Sequence, residues 1–170
     1  AILGSGGREH AIALKISKSK KLRKLYCIPG NAGTGLISKN INIKLDDFIK
    51  IYNFLKDEKV DLVIVGPEKP LVDGIVDYLN NKKIKVFGPN QKVSQLEGSK
   101  IFTKKICKKY NIPAANFGIV KNIEEAFEFL KNRKMPLVIK ADGLAAGKGV
   151  YICKDIESSK NAVSEIFNGK

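Results

Sequence analysis

The sequence has no tryptophan, one methionine, one histidine (His10), six prolines and three cysteines in 170 residues. Cys27, Cys107 and Cys153 stand far apart with no C-x-x-C pair. That excludes a disulfide framework and a cysteine zinc site, and it predicts reduced thiols and a cytoplasmic location. No apolar run approaches the ~18 residues of a membrane span, so no membrane partner is expected. The N-terminus, Ala1-Ile2-Leu3-Gly4, lacks a basic n-region and a long apolar stretch and does not have the form of a signal peptide. Arginine is nearly absent as well. Of 31 basic residues only Arg8, Arg23 and Arg133 are Arg, against 17 acidic residues and a net charge of +14. Groove and phosphate recognition favours Arg, and the lysines run along the whole chain without a repeated aromatic–basic stacking pattern. The surplus therefore reads as a solvated basic surface, and no nucleic-acid partner is expected.

What is present is a β-α alternation with short, glycine-containing connections. Ala1 to Leu3 predicts a buried strand stub, followed by a helix through Ala11, Ile12, Leu14 and Ile16. Strands are expected at residues 25–28, 42–45, 61–65 and 85–87. Asp46 is expected to cap a helix with core face Phe48, Ile49, Tyr52 and Leu55. Another helix carries Leu71, Ile75 and Leu79. The continuous run Leu62-Val63-Ile64-Val65 suits a strand buried on both faces of a parallel sheet. The fold class predicted for residues 1–95 is α/β, a doubly wound parallel sheet. Residues 96–170 change rhythm and predict the beginning of an α+β unit. It has a helix through Ile101, Phe102, Ile106 and Tyr110, a strand at 117–120 and a helix at 124–131. Strands at 137–141 and 150–153 and a last helix complete it.

Ligands of doubly wound sheets sit beyond the carboxyl ends of the strands, where three loops are expected to converge. Gly4-Ser5-Gly6-Gly7-Arg8-Glu9-His10 is a glycine turn at a helix start, able to offer backbone N–H groups to a phosphate. The dinucleotide fingerprint requires glycine where Glu9 stands, and no acidic residue closes the second strand, so a dinucleotide is disfavoured. Arg8 suits a phosphate or carboxylate, or simply a helix-start surface; His10 reads as a packing residue. Pro29-Gly30-Asn31-Ala32-Gly33 forms the second loop. In the third, Gly66-Pro67-Glu68, the Glu68 carboxylate can accept two sugar hydroxyls or remain solvated. A further glycine loop, residues 140–149, superficially suggests a P-loop. Its spacing is one residue short, Gly149 replaces the hydroxyl residue, and the following segment is strand-like. A glycine loop between two strands is a flap over phosphates, with Lys148 on it and Lys140 at its root. A lysine on a buried strand, as Lys140 is expected to be, calls for an anionic partner.

These motifs occur in one order along the chain: Gly4-Ser5-Gly6-Gly7-Arg8-Glu9-His10-Ala11, Pro29-Gly30-Asn31-Ala32-Gly33-Thr34, Gly66-Pro67-Glu68 with Pro70-Leu71, Phe87-Gly88-Pro89, Leu96-Glu97-Gly98-Ser99-Lys100, and residues 140–150. The series resembles the phosphoribosylamine–glycine ligase family of the ATP-grasp superfamily. The resemblance implies a pre-ATP-grasp substrate domain over residues 1–95. It implies the beginning of an ATP-grasp domain, with its lid subdomain, over 96–170. The implied reaction is purine-biosynthetic and has two steps. ATP phosphorylates the glycine carboxylate, and the amine of 5-phosphoribosylamine then displaces phosphate from glycyl phosphate. By position, Lys100, Lys140, Gly143, Gly147, Lys148 and Gly149 are implied to contact ATP. Gly6, Gly7, Arg8, Asn31, Pro67 and Glu68 are implied to face the phosphoribosylamine. Magnesium or manganese is implied too, with ligands beyond residue 170, as are the adenine hinge and most of the glycine site. A 170-residue piece alone is therefore expected to be inactive. The rival from the same superfamily is another carboxylate–amine ligase or carboxylase, which would share the lysines and the flap but not the first two loops. Oligomeric state stays open.

Overall fold

The computed structural model describes residues 1–145 and 148–169. They divide into two compact units, Ala1–Gly98 and Ser99–Lys170.

The first unit is built on a five-stranded parallel sheet. In chain order it comprises β1 (Ile2–Gly4), α1 (Gly7–Ser17), β2 (Tyr26–Pro29), β3 (Lys39–Asn40) and α2 (Phe48–Asp57). After these come β4 (Val63–Val65), α3 (Glu68–Val72), α4 (Ile75–Asn81), β5 (Val86–Phe87) and α5 (Gln91–Gly98). The strand order is β3-β2-β1-β4-β5. Leu3 is in register with Ile28 on one side and Val65 on the other. Successive side chains of a strand point to opposite faces, and the core divides accordingly. Leu3, Ile28, Val63 and Val65 pack on one face with Ile51 and Leu55 of α2 and Ile75, Val76 and Leu79 of α4. Ile2 and Cys27 pack on the other with Ala13 of α1 and Leu25. Burial on both faces is why the strands read as unbroken apolar runs. The chain winds from β1 toward β3, then returns to β4 on the other side of β1. This places the topological switch point between β1 and β4, where loops 4–7 and 66–68 emerge.

Several local expectations are corrected. The third strand lies at Lys39–Asn40, because β2 fixes its register through Tyr26↔Lys39 and Cys27↔Asn40; Ile43 and Leu45 pack against the core from irregular backbone. Asp47, not Asp46, caps α2 by accepting from the Lys50 N–H. Ile49 is 66% exposed, since the buried stripe runs through Ile51 and Leu55. The helix expected across Leu71–Leu79 breaks at Gly74, whose φ of +93° no helix accommodates. A helix not expected from the sequence, α5, occupies Gln91–Gly98, while the helix expected through residues 101–110 forms at Lys100–Lys109.

The second unit contains α6 (Lys100–Lys109), α7 (Ile123–Leu130), β6 (Leu137–Lys140), β7 (Val150–Cys153) and α8 (Ile156–Phe167). Ser99, Asn122 and Asp155 cap α6, α7 and α8 with side-chain oxygens. β6 and β7 pair antiparallel, Lys140 opposite Val150. Leu137 and Ile139 pack on Ala126, Leu130 and Val163 of the helices. The opposite face carries Val138, Ile152, Val150 and Lys140, all exposed. Lys140 therefore sits on an open sheet face, and the expectation of a buried lysine is withdrawn. The strand expected at 117–120 does not form: among the described residues β6 and β7 pair only with each other, and Phe117 and Ile119 are exposed.

Candidate functional site: a crevice at the strand ends and a lysine-rooted hairpin

Gly4 ends β1 at φ +130°, a conformation that favours glycine, and a Cβ there would stand 2.5 Å from Glu9 Cγ. Gly6 is the N-cap of α1. Three residues into the helix, Glu9 turns back, and its Oε2 accepts the Gly6 N–H at 2.7 Å. Its side chain is only 4% exposed and packs against Gly4, Gly6 and Gly66. The carboxylate thus fills the space that the third glycine of a dinucleotide loop leaves open, and it supplies the helix N-terminus with its anion. The N–H of Gly6 is spent inside the loop. Gly7 borders open space and carries one of the first-turn N–H groups that have no intrahelical partner.

Loop 1, residues 4–7 joining β1 to α1, is tied to both neighbours. Asn31, in the loop after β2, donates from Nδ2 to the Ser5 carbonyl at 2.8 Å. On the other side Arg8 donates to the Gly66 carbonyl at 2.6 Å, and its Nη2 lies 3.7 Å from Glu68 Oε1. Both partners of this ion pair are largely solvated, so it orients the side chains more than it stabilises the fold. Pro67 is the N-cap of α3 and places Glu68 at the helix start. Arg8, Gly66 and Glu68 line a cleft of about 320 Å³ together with Leu71, Pro89, Ser94 and Glu97. Asn31 lies outside this lining, on the far side of loop 1. The cleft joins one guanidinium to two carboxylates, a set that can receive a phosphate on one side and hydroxyl or amine hydrogens on the other. His10 packs its ring against Gly33, where a Cβ would stand 2.7 Å from Nδ1. It is a packing residue.

In the second unit, the described residues 141–145 and 148–149 lie between the two antiparallel strands of a hairpin. The Ala141 N–H donates to the Gly149 carbonyl at 2.8 Å, and the Lys148 N–H to the Ala145 carbonyl at 2.7 Å. Gly143 (φ +89°) and Gly149 (φ +71°) occupy left-handed backbone, and Lys148 is exposed. Gly147, assigned to the phosphate flap by resemblance, lies outside the described residues. Lys100 reaches the loop directly, donating from Nζ to the Gly143 carbonyl at 2.8 Å. Beside it the Asp142 carboxylate accepts from the Ser99 hydroxyl and, at 3.2 Å, from the Ile101 N–H. Burial alone would raise the Asp142 pKa. The hydrogen bonds from Ile101, Ser99, Gly143 and Lys100 outweigh it and hold the carboxyl below its ordinary value. The loop root is thus fastened to the start of α6 by a carboxylate and a lysine.

Sequence reasoning named Lys100, Lys140 and the glycines of this loop but missed Asp142, and it missed Thr34 and Asn40 behind Asn31. The Asn31-x-x-Thr34 spacing is the available signal, since it suits a side-chain-closed turn. Among the described residues no three His, Cys, Asp or Glu side chains gather to hold a metal ion. None of the helices is long and apolar enough to cross a membrane among those same residues.

Comparison with known proteins gives a consistent outcome. The family model described as phosphoribosylglycinamide synthetase, N domain, matches residues 1–97, and that of the ATP-grasp (A) domain matches residues 98–170. The chain is 46% identical over 173 aligned residues to a phosphoribosylamine–glycine ligase of Clostridium acetobutylicum, covering 99% of this chain and 42% of the relative. Against the Vibrio cholerae protein of the same name it is 43% identical, with 99% and 40% covered. The crystal structure of the Thermotoga maritima phosphoribosylamine–glycine ligase superposes with a TM-score of 0.75 at 34% identity, covering 99% of this chain and 40% of that one. An N5-carboxyaminoimidazole ribonucleotide synthetase from Thermus thermophilus superposes equally well, at 0.76, over 99% of this chain and 44% of that one. At 19% identity it shares the fold. The chain spans about two-fifths of the length of the curated relatives it matches. With both family models together running from end to end, this chain belongs to the phosphoribosylglycinamide synthetase family.

Proposed function

We propose that the protein is an ATP-dependent carbon–nitrogen ligase that joins glycine to 5-phosphoribosylamine, working in the cytoplasm, and that these residues supply the amine-substrate crevice and part of the nucleotide site. The observation that carries the reading is a pairing within one chain. A strand-end crevice whose dinucleotide niche is filled by Glu9 precedes a lysine-rooted glycine hairpin, in a chain that is similar over 99% of its length to a relative named for this reaction.

A carboxylate oxygen is a poor leaving group, so amide formation needs prior transfer of the ATP γ-phosphoryl group to glycine. One glycine oxygen attacks phosphorus, ADP departs, and the amine then attacks the carbonyl carbon of glycyl phosphate. Phosphate leaves carrying that oxygen, and the amine loses a proton. Such transfers are accelerated chiefly by alignment and by neutralising phosphate charge. Lys100, Lys140 and Lys148 are the cations for that task. An ammonium has three N–H donors, so Lys100, with one spent on Gly143, keeps two for a phosphate. Lys140 shares the open face of β6 and β7 with Val138, Val150 and Ile152, an apolar ledge beside a cation that suits a purine nucleotide. Gly143 and Gly149 let the loop turn close to the phosphates. In the first unit, Arg8 would take the ribose phosphate, and Glu68, beside Pro67, the sugar hydroxyls or the amine. Gly7 would allow close approach, while Gly6 and Asn31 hold the loop that faces the substrate. Among the described residues no three His, Cys, Asp or Glu side chains gather to hold magnesium or manganese, so those residues alone do not fit a metal site.

ADP release from Mg–ATP by the full-length polypeptide, with glycine and phosphoribosylamine omitted in turn, tests the proposal. Turnover requiring both is the expected result. ATP turnover indifferent to either would move the assignment to another ATP-grasp ligase or a carboxylase.

A further inference from the structure

Asn31 is held by every polar atom it has. Its backbone N–H donates to Thr34 Oγ1 at 2.7 Å, and its side-chain oxygen accepts the Thr34 N–H at 2.9 Å. Its Nδ2 donates to the Ser5 carbonyl at 2.8 Å and lies 3.4 Å from that of Gly6, and its own carbonyl accepts from Asn40 Nδ2 at 2.7 Å. The Thr34 hydroxyl is fully buried, 2.8 Å from Asn40 Oδ1 and 3.0 Å from the Asn31 carbonyl. A hydroxyl has one proton to give. The Asn31 carbonyl already receives both the Asn40 amide and, at 3.0 Å, the Gly35 N–H, which take its two lone pairs, so that proton goes to Asn40 Oδ1. The bonds then form a closed ring from Asn31 N–H to Thr34 O–H, to the Asn40 carboxamide and back to the Asn31 carbonyl. Asn40 also packs against Gly30, where φ is +77° and a Cβ would stand 2.5 Å from Asn40 Cγ. The carboxamide at the end of β3 therefore fixes the loop after β2, and through Asn31 it fixes the Ser5 and Gly6 carbonyls of loop 1.

We propose that Asn40, acting with Thr34, is a positioning residue for the amine substrate. It touches no ligand, but its carboxamide locks Asn31 so that loop 1 presents Gly7 and Arg8 to the crevice. The inference rests on reading that crevice as the phosphoribosylamine site.

The test is steady-state kinetics of the full-length enzyme with each substrate varied in turn. Asn40→Asp keeps an acceptor for Thr34 but turns a carboxylate oxygen toward the Asn31 carbonyl, and Asn40→Ala, at an exposed position, removes both bonds without opening the core. Both are expected to raise the KM for phosphoribosylamine about 10-fold, the scale of a lost buried partner, with KM for ATP and glycine within about 2-fold of wild type. Thr34→Ser is expected to behave as wild type and Thr34→Val as Asn40→Asp. An unchanged phosphoribosylamine KM in both Asn40 variants overturns the inference. So does a parallel rise of all three KM values with a falling Tm, the mark of a purely structural residue. A wild-type enzyme that turns over without phosphoribosylamine instead overturns the underlying assignment of the crevice, and this inference with it.

Discussion

Gly66→Ala is the substitution through which the packing of the crevice is most directly measured. Gly66 does not occupy left-handed backbone, so alanine meets no conformational penalty there. The added methyl would stand 2.6 Å from Glu9 Cδ, about 1 Å inside the ~3.5–4.0 Å of carbon contact. The Glu9 side chain is buried and has to leave its niche. The expected cost is about 1–3 kcal/mol for overpacking, with about 1.5–3 kcal/mol more where the charge-assisted bond to the Gly6 N–H is lost. Glu9→Ala removes that bond and the obstruction together. On the Glu9→Ala background, Gly66→Ala is therefore expected to cost less than about 0.5 kcal/mol, giving a coupling energy of about 2–6 kcal/mol. Urea unfolding of the 170-residue chain reads the cycle by tyrosine fluorescence, since Tyr26, Tyr52 and Tyr78 all lie in this unit. If the two single costs add within about 0.5 kcal/mol, Glu9 does not fill the niche against Gly66 and the argument against a dinucleotide loses its basis.

Other consequences follow from the hairpin. The Asp142 carboxylate has a depressed pKa, so its stabilising contribution is fully present above the ordinary aspartate value of ~3.9 and is lost as pH falls through the lower folded value. The stability gap between wild type and Asp142→Asn in denaturant titrations is expected to close below about pH 4; a gap constant from pH 7 to pH 3 would refute the assigned hydrogen bonds. Asp142→Ala also unfastens the loop root beside Lys100, so the KM for ATP in the full-length enzyme is expected to rise about 10-fold, and an unchanged value would count against the clamp. Gly149→Ala forces a side chain into left-handed backbone and toward Ala141, 3.1 Å away. It is expected to cost about 1–3 kcal/mol, read by thermal unfolding, where no loss would contradict the turn geometry.

The architecture was legible where burial imposes a simple pattern. Val63, Ile64 and Val65 are apolar in succession because the sheet is covered on both faces, and that run alone announces a parallel sheet. The glycine loops followed, because strand ends in such a sheet converge. What stayed hidden depended on partners far along the chain or on backbone angles without a compositional mark. Leu71, Ile75 and Leu79 keep helical spacing across Gly74, so periodicity could not reveal the break at its positive φ. Apolar residues at 117–120 resemble a strand, yet strand formation requires a neighbour, and β6 and β7 pair only with each other among the described residues. Lys140 follows Val138 and Ile139 in sequence, but alternation sends its side chain to the open face of the hairpin. Glu9 was legible as a departure from the dinucleotide fingerprint. Its place in the niche, and the bond from Asn31 to Ser5 across 26 residues, required the fold.

The central claim, that ATP activates the carboxylate of glycine as an acyl phosphate, is tested most directly by isotope transfer. The full-length polypeptide would be supplied with Mg–ATP, phosphoribosylamine and glycine labelled with oxygen-18 in its carboxylate, and the released inorganic phosphate analysed by mass. The account predicts that each turnover moves one labelled oxygen from glycine to phosphate. Phosphate free of label, with amide still formed, would contradict it.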